Sequence, residues 1–284
     1  MPVHTIGVIG AGTMGSGIAQ AAATKGFDVI LIDMSEAAVA KGIDAVKSRL
    51  ARIVAKGRMS GSEQEAALGG IHGTTAYAAL KPADVVIEAA TENYDLKAKI
   101  LKQIDPLVRS ETIIASNTSS VSITKLASVI SHPDRFVGIH FFNPVPVMAL
   151  VEIVRGLQTS DATHAAITTL ATQLGKSPIT VKSTPGFVVN RILLPMINEA
   201  FFVLAEGASS AKEIDEGMKL GCNHPIGPLA LADLIGLDVL LAVMQTLHDE
   251  FADSKYRPCP LLKEMVAAGY LGRKSGRGVY SYQA

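Results

Sequence analysis

The chain has 284 residues, which is long for one domain and sufficient for two domains with a sizeable core. Hydrophobic residues make up 48% of the chain and charged residues 18%, a composition that excludes an intrinsically disordered protein. Its 26 basic and 26 acidic residues cancel, so no global positive field would attract nucleic acid or an anionic membrane, and we expect neither as a partner.

The sequence contains few signals for cellular location or metal binding. The apolar runs are too short or too interrupted to span a bilayer, and the N-terminal MPVHTIGVIG lacks the basic stretch of a signal peptide. The two cysteines, Cys222 and Cys259, form no CxxC motif and predict no disulfide framework, which fits a reducing, cytoplasmic location. The cysteines and seven histidines show no zinc-like spacing, so we predict no metal site.

The first elements in chain order predict a βαβ unit. HTIGVIG is rich in β-branched residues and predicts a buried strand, and GAGTMGSGIAQAAATKG predicts a tight turn that opens a helix of small residues. DVILID predicts a second apolar strand about thirty residues from the start of the first.

Strand and helix patterns continue to alternate as far as residue 184. Two amphipathic helices are predicted in 35–68, and ADVVIEAA, TIIASN, RFVGIHFF, MALVEIV and ITVK predict strands that are separated mostly by helices. From Pro185 onwards the periodicity is helical. The prediction is an α/β fold: a Rossmann-like, doubly wound, mainly parallel sheet in residues 1–184, followed by a smaller, all-helical domain in residues 185–284.

Residues 10–15, GAGTMG, form a GxGxxG motif that follows a predicted strand, opens a predicted helix and is followed by Asp33 at the end of the next strand. This context predicts a dinucleotide site. Gly10 would form the tight turn, Gly12 would let a pyrophosphate approach the backbone, and Gly15 would let the helix pack against the strand, with Thr13 and Met14 between them. The carboxylate of Asp33 favours NAD over NADP. The alternative is a glycine-rich turn that binds no ligand.

The stretch IHFFNPVPVMALVEIV places His140 and Glu152 in an almost wholly apolar context. Titratable side chains are costly to bury without a partner. The NPVPV turn separates two strand-like segments, so neighbouring antiparallel strands could bring the two side chains together. The residues alone support an acid/base couple and a satisfied core pair equally well.

Six segments, in order, resemble the 3-hydroxyacyl-CoA dehydrogenase family, and most closely its short, stand-alone bacterial 3-hydroxybutyryl-CoA dehydrogenases. They are VIGAGTMGSGIAQ, VIEAATENYDLK, ASNTSSVSI, GIHFFNPVPVMALVEIV, TPGFVVNR and GRKSGRGVYSY, and together they extend from one end of the chain to the other.

The resemblance implies reversible hydride transfer between NAD and the 3-hydroxyl carbon of an (S)-3-hydroxyacyl-CoA. His140 would be the general base that takes the hydroxyl proton and returns it in the reverse direction. An imidazole suits this role because its ordinary pKa lies near neutrality. Glu152 would hold the other ring nitrogen and stabilise the imidazolium.

The resemblance also places Ser119 near the nicotinamide and the substrate oxygen, and Asn190 at the substrate oxygen from the helical domain. The alternatives are a helix N-cap for Ser119, a post that Ser120 or Ser122 could also fill, and a helix-packing amide for Asn190. Asn143 is matched to the nicotinamide ribose or amide.

Glu92 and Lys97, in TENYDLK, are matched to cofactor contacts by the same resemblance. From the sequence alone, Glu92 is equally compatible with a cap of the following helix. At Ser183 many members of the family carry an acid, but the catalytic positions are unchanged.

The phosphates of CoA require cationic partners. Residues 47–58, KSRLARIVAKGR, contain five basic residues and no acid. Arg52 and Lys56 are four residues apart and would share a helix face, so we predict that they contact CoA. A solvated helix face is the alternative.

The helical domain contains more apolar residues than its own core requires. The stretch from Phe187 to Leu204 and the segment ALADLIGLDVLLAVM predict a homodimer through this domain, as the resemblance also implies. Asp233 is predicted to cap a helix.

Two other functions fit parts of the sequence. One is an NAD-dependent dehydrogenase of a free hydroxy acid or sugar acid, although such enzymes usually rely on a lysine in the helical domain. The other is a non-catalytic NAD(H)-binding redox sensor, although a protein that had lost catalysis would be expected to have lost its acid/base couple as well.

Overall fold

The computed structural model describes residues 3–282, and the chain divides into two compact units between Thr184 and Pro185. The first unit is built on one eight-stranded sheet. Its strands are β1 (Thr5–Ile9), β2 (Asp28–Ile32), β3 (Ile71–Thr74), β4 (Val85–Glu88), β5 (Ile113–Ser116), β6 (Phe136–Phe141), β7 (Leu150–Arg155) and β8 (Ser177–Lys182).

The sheet has the order β3-β2-β1-β4-β5-β6-β7-β8 and is mainly parallel. Only the β6–β7 pair is antiparallel, since the short turn between them reverses the chain. The predicted fold class is confirmed. One strand, β3, was not predicted, because its four residues, IHGT, lack an apolar run and contain a glycine.

Six helices of the first unit connect and cover the strands. They are α1 (Thr13–Ala23), α2 (Glu36–Ala55), α3 (Gly61–Gly69), α4 (Tyr94–Ile104), α5 (Ile123–Ala127) and α6 (Asp161–Gln173). Strands β4, β5 and β6 are buried along their full length, which explains their nearly continuous apolar sequences. The small side chains of α1 allow it to pack closely, and nine of its eleven residues are buried.

The second unit is helical. Its helices are α7 (Val189–Ala205), α8 (Ala211–Gly221), α9 (Pro228–Ile235), α10 (Leu237–Phe251) and α11 (Pro260–Ala267). Residues of α7, α9, α10 and α11 form its own apolar core, which includes Phe201, Leu240 and Met244. Helix α7 contains Pro195 in its interior.

Two buried aspartates fasten the C-terminal segment of the second unit. Asp233 accepts hydrogen bonds from the backbone N–H groups of Val279 and Tyr280 and from the hydroxyl of Tyr282. The predicted helix cap at Asp233 is therefore wrong, because its carboxylate binds a segment that lies more than forty residues later in the chain. Asp215 accepts a bond from the hydroxyl of Tyr280, and burial together with this carboxylate raises the pKa of that hydroxyl.

Within residues 3–282, no single helix is both long and apolar enough to cross a membrane. The pair Pro228–Ile235 and Leu237–Phe251 passes that test only when taken together, across a bend of 99°. The same residues contain no group of three or more histidine, cysteine, aspartate or glutamate side chains arranged to hold a metal ion.

Candidate functional site

The turn between β1 and α1 has the shape that a dinucleotide pyrophosphate requires. Gly10 has φ of +101°, a conformation that favours glycine, and a side chain at Gly15 would collide with the carbonyl oxygen of Gly10. At Gly12 a side chain would meet no atom within 4 Å, so it would project into open space. Gly12 also begins α1 without a side-chain cap, which leaves the first N–H groups of α1 to bind phosphate oxygens.

Asp33 lies one residue beyond the end of β2, beside this turn. Its Oδ2 accepts a hydrogen bond of 2.7 Å from the N–H of Ala11, and its Oδ1 accepts one of 2.7 Å from the N–H of Met34. The carboxylate is thus fixed next to the glycine turn and remains partly exposed. Thr13 and Met14 are the first two residues of α1. These residues fit NAD, since they provide an open backbone approach for the phosphates and a carboxylate for ribose hydroxyls.

His140 and Glu152 are direct cross-strand partners on β6 and β7. The distance from His140 Nδ1 to Glu152 Oε2 is 2.6 Å, and the side chains are 9% and 0% exposed, respectively. Because a carboxylate only accepts hydrogen bonds, this contact places a proton on Nδ1 and makes Nε2 the ring nitrogen that can exchange a proton with a ligand. The ring of Phe142 packs against the imidazole at a centroid distance of 4.5 Å.

Glu92 organises the SNTSS loop that follows β5. Its Oε1 accepts hydrogen bonds from the hydroxyl of Thr118 at 2.5 Å and from the backbone N–H groups of Ser119 and Ser120, each at 2.8 Å. Burial disfavours the charged carboxylate, but the charge of Lys97 and these hydrogen bonds outweigh it and lower the pKa of Glu92. Ser119 is held with its hydroxyl 3.2 Å from Glu92 Oε1.

The helix-cap alternatives for Glu92 and Ser119 do not hold. Helix α4 is capped by the side chain of Asn93, which accepts a bond from the N–H of Leu96. Helix α5 is capped by Ser122, whose hydroxyl accepts a bond from the N–H of Lys125. Glu92 and Ser119 therefore cap neither helix, and both form hydrogen bonds within the loop.

Lys97 was predicted to contact the cofactor, but its side chain is completely buried. Its Nζ lies 3.0 and 2.9 Å from the two carboxylate oxygens of Glu88 and donates more weakly to the carbonyl oxygens of Ala90 and Asn117. Protein oxygen atoms therefore surround the ammonium group of Lys97, and its contact with the cofactor stays a prediction.

Two residues of the site, Glu88 and Asn117, were not predicted from the sequence. The signal was an acid that ends an otherwise apolar strand, VVIE, with a lysine nine residues later in an amphipathic helix. A buried acid in such a position needs a cationic or hydrogen-bonding partner, and that requirement could have identified the pair.

The other predicted residues are more dispersed. Asn143 is exposed, two residues after β6, and Asn190 is the second residue of α7, in the second unit. Arg52 lies in the last turn of α2, and Lys56 is the C-cap residue of the same helix, four residues later.

Arg49, in the same basic run, is turned towards the protein. It donates to the side chains of Gln20 and Ser16 on α1, and burial lowers the pKa of its guanidinium group. Arg49 of the basic run therefore connects α2 to α1 through side-chain hydrogen bonds.

The carboxyl ends of β1, β4, β5 and β6 lie at one edge of the sheet, because these strands are mutually parallel. This edge presents a dinucleotide turn, an ordered loop with serine hydroxyls and an imidazole oriented by a carboxylate. Ligands bind at this edge in open α/β sheets. The arrangement can hold a nicotinamide dinucleotide and exchange a proton with an alcohol or ketone beside it.

Comparison with known proteins gives matches over the whole chain. Residues 5–184 match the family model "3-hydroxyacyl-CoA dehydrogenase, NAD binding domain", and residues 186–282 match "3-hydroxyacyl-CoA dehydrogenase, C-terminal domain". The 3-hydroxybutyryl-CoA dehydrogenase of Bradyrhizobium diazoefficiens is 49% identical over 281 residues, covering 99% of this chain and 96% of the relative. The 3-hydroxybutyryl-CoA dehydrogenase of Clostridioides difficile is 48% identical over 277 residues, covering 98% of this chain and 99% of the relative.

A solved structure shows the same relationship. The crystal structure of (S)-3-hydroxybutyryl-CoA dehydrogenase from Ralstonia eutropha is 66% identical in sequence, with a TM-score of 0.98 and complete coverage of both chains. The glycine turn, the histidine–glutamate pair and two consecutive domain matches agree, and the chain belongs to the 3-hydroxyacyl-CoA dehydrogenase family.

Proposed function

We propose that this protein is an NAD-dependent (S)-3-hydroxybutyryl-CoA dehydrogenase. It would interconvert acetoacetyl-CoA and (S)-3-hydroxybutyryl-CoA. The observation that carries the proposal is the contact of 2.6 Å between His140 Nδ1 and Glu152 Oε2, at the same edge of the sheet as the dinucleotide turn. The names of relatives that match this chain over nearly its whole length support the choice of a short acyl-CoA as substrate.

The protein's own contribution to the chemistry is proton transfer. The bound nicotinamide would supply the hydride acceptor or donor. In the oxidative direction, Nε2 of His140 takes the proton of the 3-hydroxyl group as the carbon loses its hydride. In the reductive direction, the imidazolium returns a proton to the developing alkoxide. Glu152 keeps Nδ1 protonated and stabilises the positive charge that the ring acquires.

The surrounding residues position the two reactants. Ser119, held by Glu92, would donate a hydrogen bond to the substrate oxygen near the nicotinamide. Asn190 would bind the same oxygen, and Asn143 would bind the nicotinamide ribose or amide. Their contribution is to orient the 3-carbon for hydride transfer, and the resemblance to the family supports these roles.

Arg52 and Lys56, at the C-terminal end of α2, are our candidates for the CoA phosphates. Both are exposed, so their charges are accessible to a ligand. Replacing both by alanine should raise the KM for acetoacetyl-CoA while kcat stays near normal, because the phosphates lie far from the reacting carbon. An unchanged KM would exclude these two residues.

We further propose a cytoplasmic homodimer that associates through the second unit. Several large apolar side chains of this unit are exposed in the single chain. They are Val188, Ile192, Leu220, Leu234 and Val239. Burying them against a second copy would remove apolar area from water. Light scattering should give twice the mass of the chain, and a monomer at micromolar concentration would contradict the proposal.

The loss of NADH absorbance on adding acetoacetyl-CoA tests the function. A parallel reaction with free acetoacetate tests whether the CoA group is required, and one with NADPH tests whether NADH is required. Rapid oxidation that needs both the CoA group and NADH is expected, because Asp33 would repel the 2′-phosphate of NADPH.

Each control excludes a different alternative. Equal rates with free acetoacetate would favour a dehydrogenase of free acids. Equal rates with NADPH would contradict the proposed role of Asp33 in selecting NADH over NADPH. Folded protein that binds NADH but oxidises none of it would favour a redox sensor.

A further inference from the structure

The carboxylate of Glu88 is the centre of a buried network that the proposed chemistry does not use directly. Its side chain is completely buried at the end of β4. Besides both contacts with Lys97 Nζ, it accepts hydrogen bonds from the N–H of Ala90 at 2.7 Å and from the hydroxyl of Ser116 at 2.6 Å. Four donor contacts thus converge on one carboxylate.

One branch of the network reaches the dinucleotide turn. The bond to the N–H of Ala90 fixes the residues just after β4, which lie against Gly10. A side chain at Gly10 would meet the carbonyl of Ala89 at 2.7 Å and the N atom of Ala90 at 3.1 Å. Any shift of this segment would therefore change the space available to the glycine turn.

A second branch reaches the strand that carries His140. Lys97 Nζ donates to the carbonyl oxygen of Asn117 at 3.3 Å, and the N–H of Asn117 donates to the carbonyl oxygen of Glu88 at 2.6 Å. The side-chain oxygen of Asn117 then accepts a bond of 3.0 Å from the N–H of Phe141, the residue next to His140. Asn117 therefore connects the buried pair to the catalytic strand.

A third branch reaches Ser119. Lys97 Nζ lies 3.8 Å from Glu92 Oε2, while Glu92 Oε1 holds the N–H groups of Ser119 and Ser120. The cation thus stabilises the carboxylate that shapes the loop.

A buried ion pair is weak evidence for stability, because desolvation of the two charges offsets their attraction. A positioning role explains better than stability why the contacts of the Glu88–Lys97 pair extend to three parts of one site. We propose that Glu88 and Lys97 act as positioning residues that set His140 and Ser119 relative to the dinucleotide turn. The inference rests on the proposed function, since it assigns these residues a role in the same reaction.

The test replaces the pair by apolar residues of similar size, Glu88→Leu with Lys97→Met. Such a replacement removes both charges together and leaves neither one buried alone, so the fold should persist. We expect kcat for acetoacetyl-CoA reduction to fall about 10- to 100-fold, the cost of a small misplacement of reacting groups, with the KM values much less affected.

A double-mutant cycle separates positioning from general damage. In a His140→Ala background the pair replacement should lower kcat by a smaller factor than in the wild-type background, because one of the two groups that the pair positions is already gone. Fully additive losses would contradict action through His140. If the pair variant fails to fold, Asn117→Ala provides the same cycle, since it removes only the acceptor of the Phe141 N–H.

The chain offers a matched control at the opposite edge of the same sheet. Asp84, just before β4, accepts bonds from the N–H groups of His4 and Thr5 and from Arg109. Asp84→Leu with Arg109→Met should lower thermal stability but leave kcat per folded molecule unchanged.

The wild-type rate distinguishes the two proposals. A wild type that does not reduce acetoacetyl-CoA would contradict the proposed function. An active wild type with an equally active Glu88/Lys97 variant would overturn this inference alone.

Discussion

Replacing His140 by alanine is expected to lower kcat for acetoacetyl-CoA reduction by about 10²- to 10⁴-fold, the usual contribution of a general acid or base. The imidazole is the group that Glu152 orients at 2.6 Å, and its loss removes the proton donor from the reacting oxygen. Stopped-flow measurement of NADH oxidation at saturating substrate would give the change in kcat. NADH affinity should stay near the wild-type value, because the glycine turn and Asp33 are unchanged.

Two further measurements complete the prediction for His140. Glu152→Gln keeps the shape of the partner but removes its charge, so kcat should fall by less than in His140→Ala. Thermal unfolding of both variants controls for damage to β6 and β7. A folded His140→Ala variant with near-normal turnover would rule out the proposed proton transfer.

Replacing Gly12 by valine is expected to abolish tight NADH binding without disturbing the fold. The backbone of Gly12 has φ of −66°, which valine adopts, and a side chain there would enter open space. That space is where the pyrophosphate would approach the backbone, so the valine would compete with the cofactor. Titration of NADH fluorescence should show affinity more than about tenfold weaker, a loss of at least about 1.4 kcal/mol.

Gly15→Val is the contrasting variant, because a side chain at this position would collide with the carbonyl oxygen of Gly10. It should lower the melting temperature, whereas Gly12→Val should not. If Gly12→Val bound NADH with wild-type affinity, the glycine turn would not be the pyrophosphate site.

Local patterns made much of the fold predictable. The turn at Gly10–Gly15 and the strand that ends before Asp33 are close in sequence, so spacing alone determined their arrangement. His140 and Glu152 were recognisable because each is a titratable residue in an apolar strand, and a short turn between the strands indicated that they pair.

Long-range contacts were less accessible. Asp233 binds Val279 and Tyr280, and no local signal connects these positions. Lys97 was matched to a cofactor contact by resemblance, and its ion pair with Glu88 was not predicted, because Glu88 lies on a strand whose burial depends on the whole sheet. The role of Asn117 depends on strand order, which places the end of β5 next to that of β6.

Transfer of a deuterium label tests the central claim most directly. The protein would be incubated with acetoacetyl-CoA and NADH carrying deuterium at C4 of the nicotinamide, on the face from which the hydride is transferred, and the product would be analysed by mass spectrometry and chiral separation. The account predicts (S)-3-hydroxybutyryl-CoA with one deuterium at C3. Unlabelled product, or no product from folded protein that binds NADH, would contradict it.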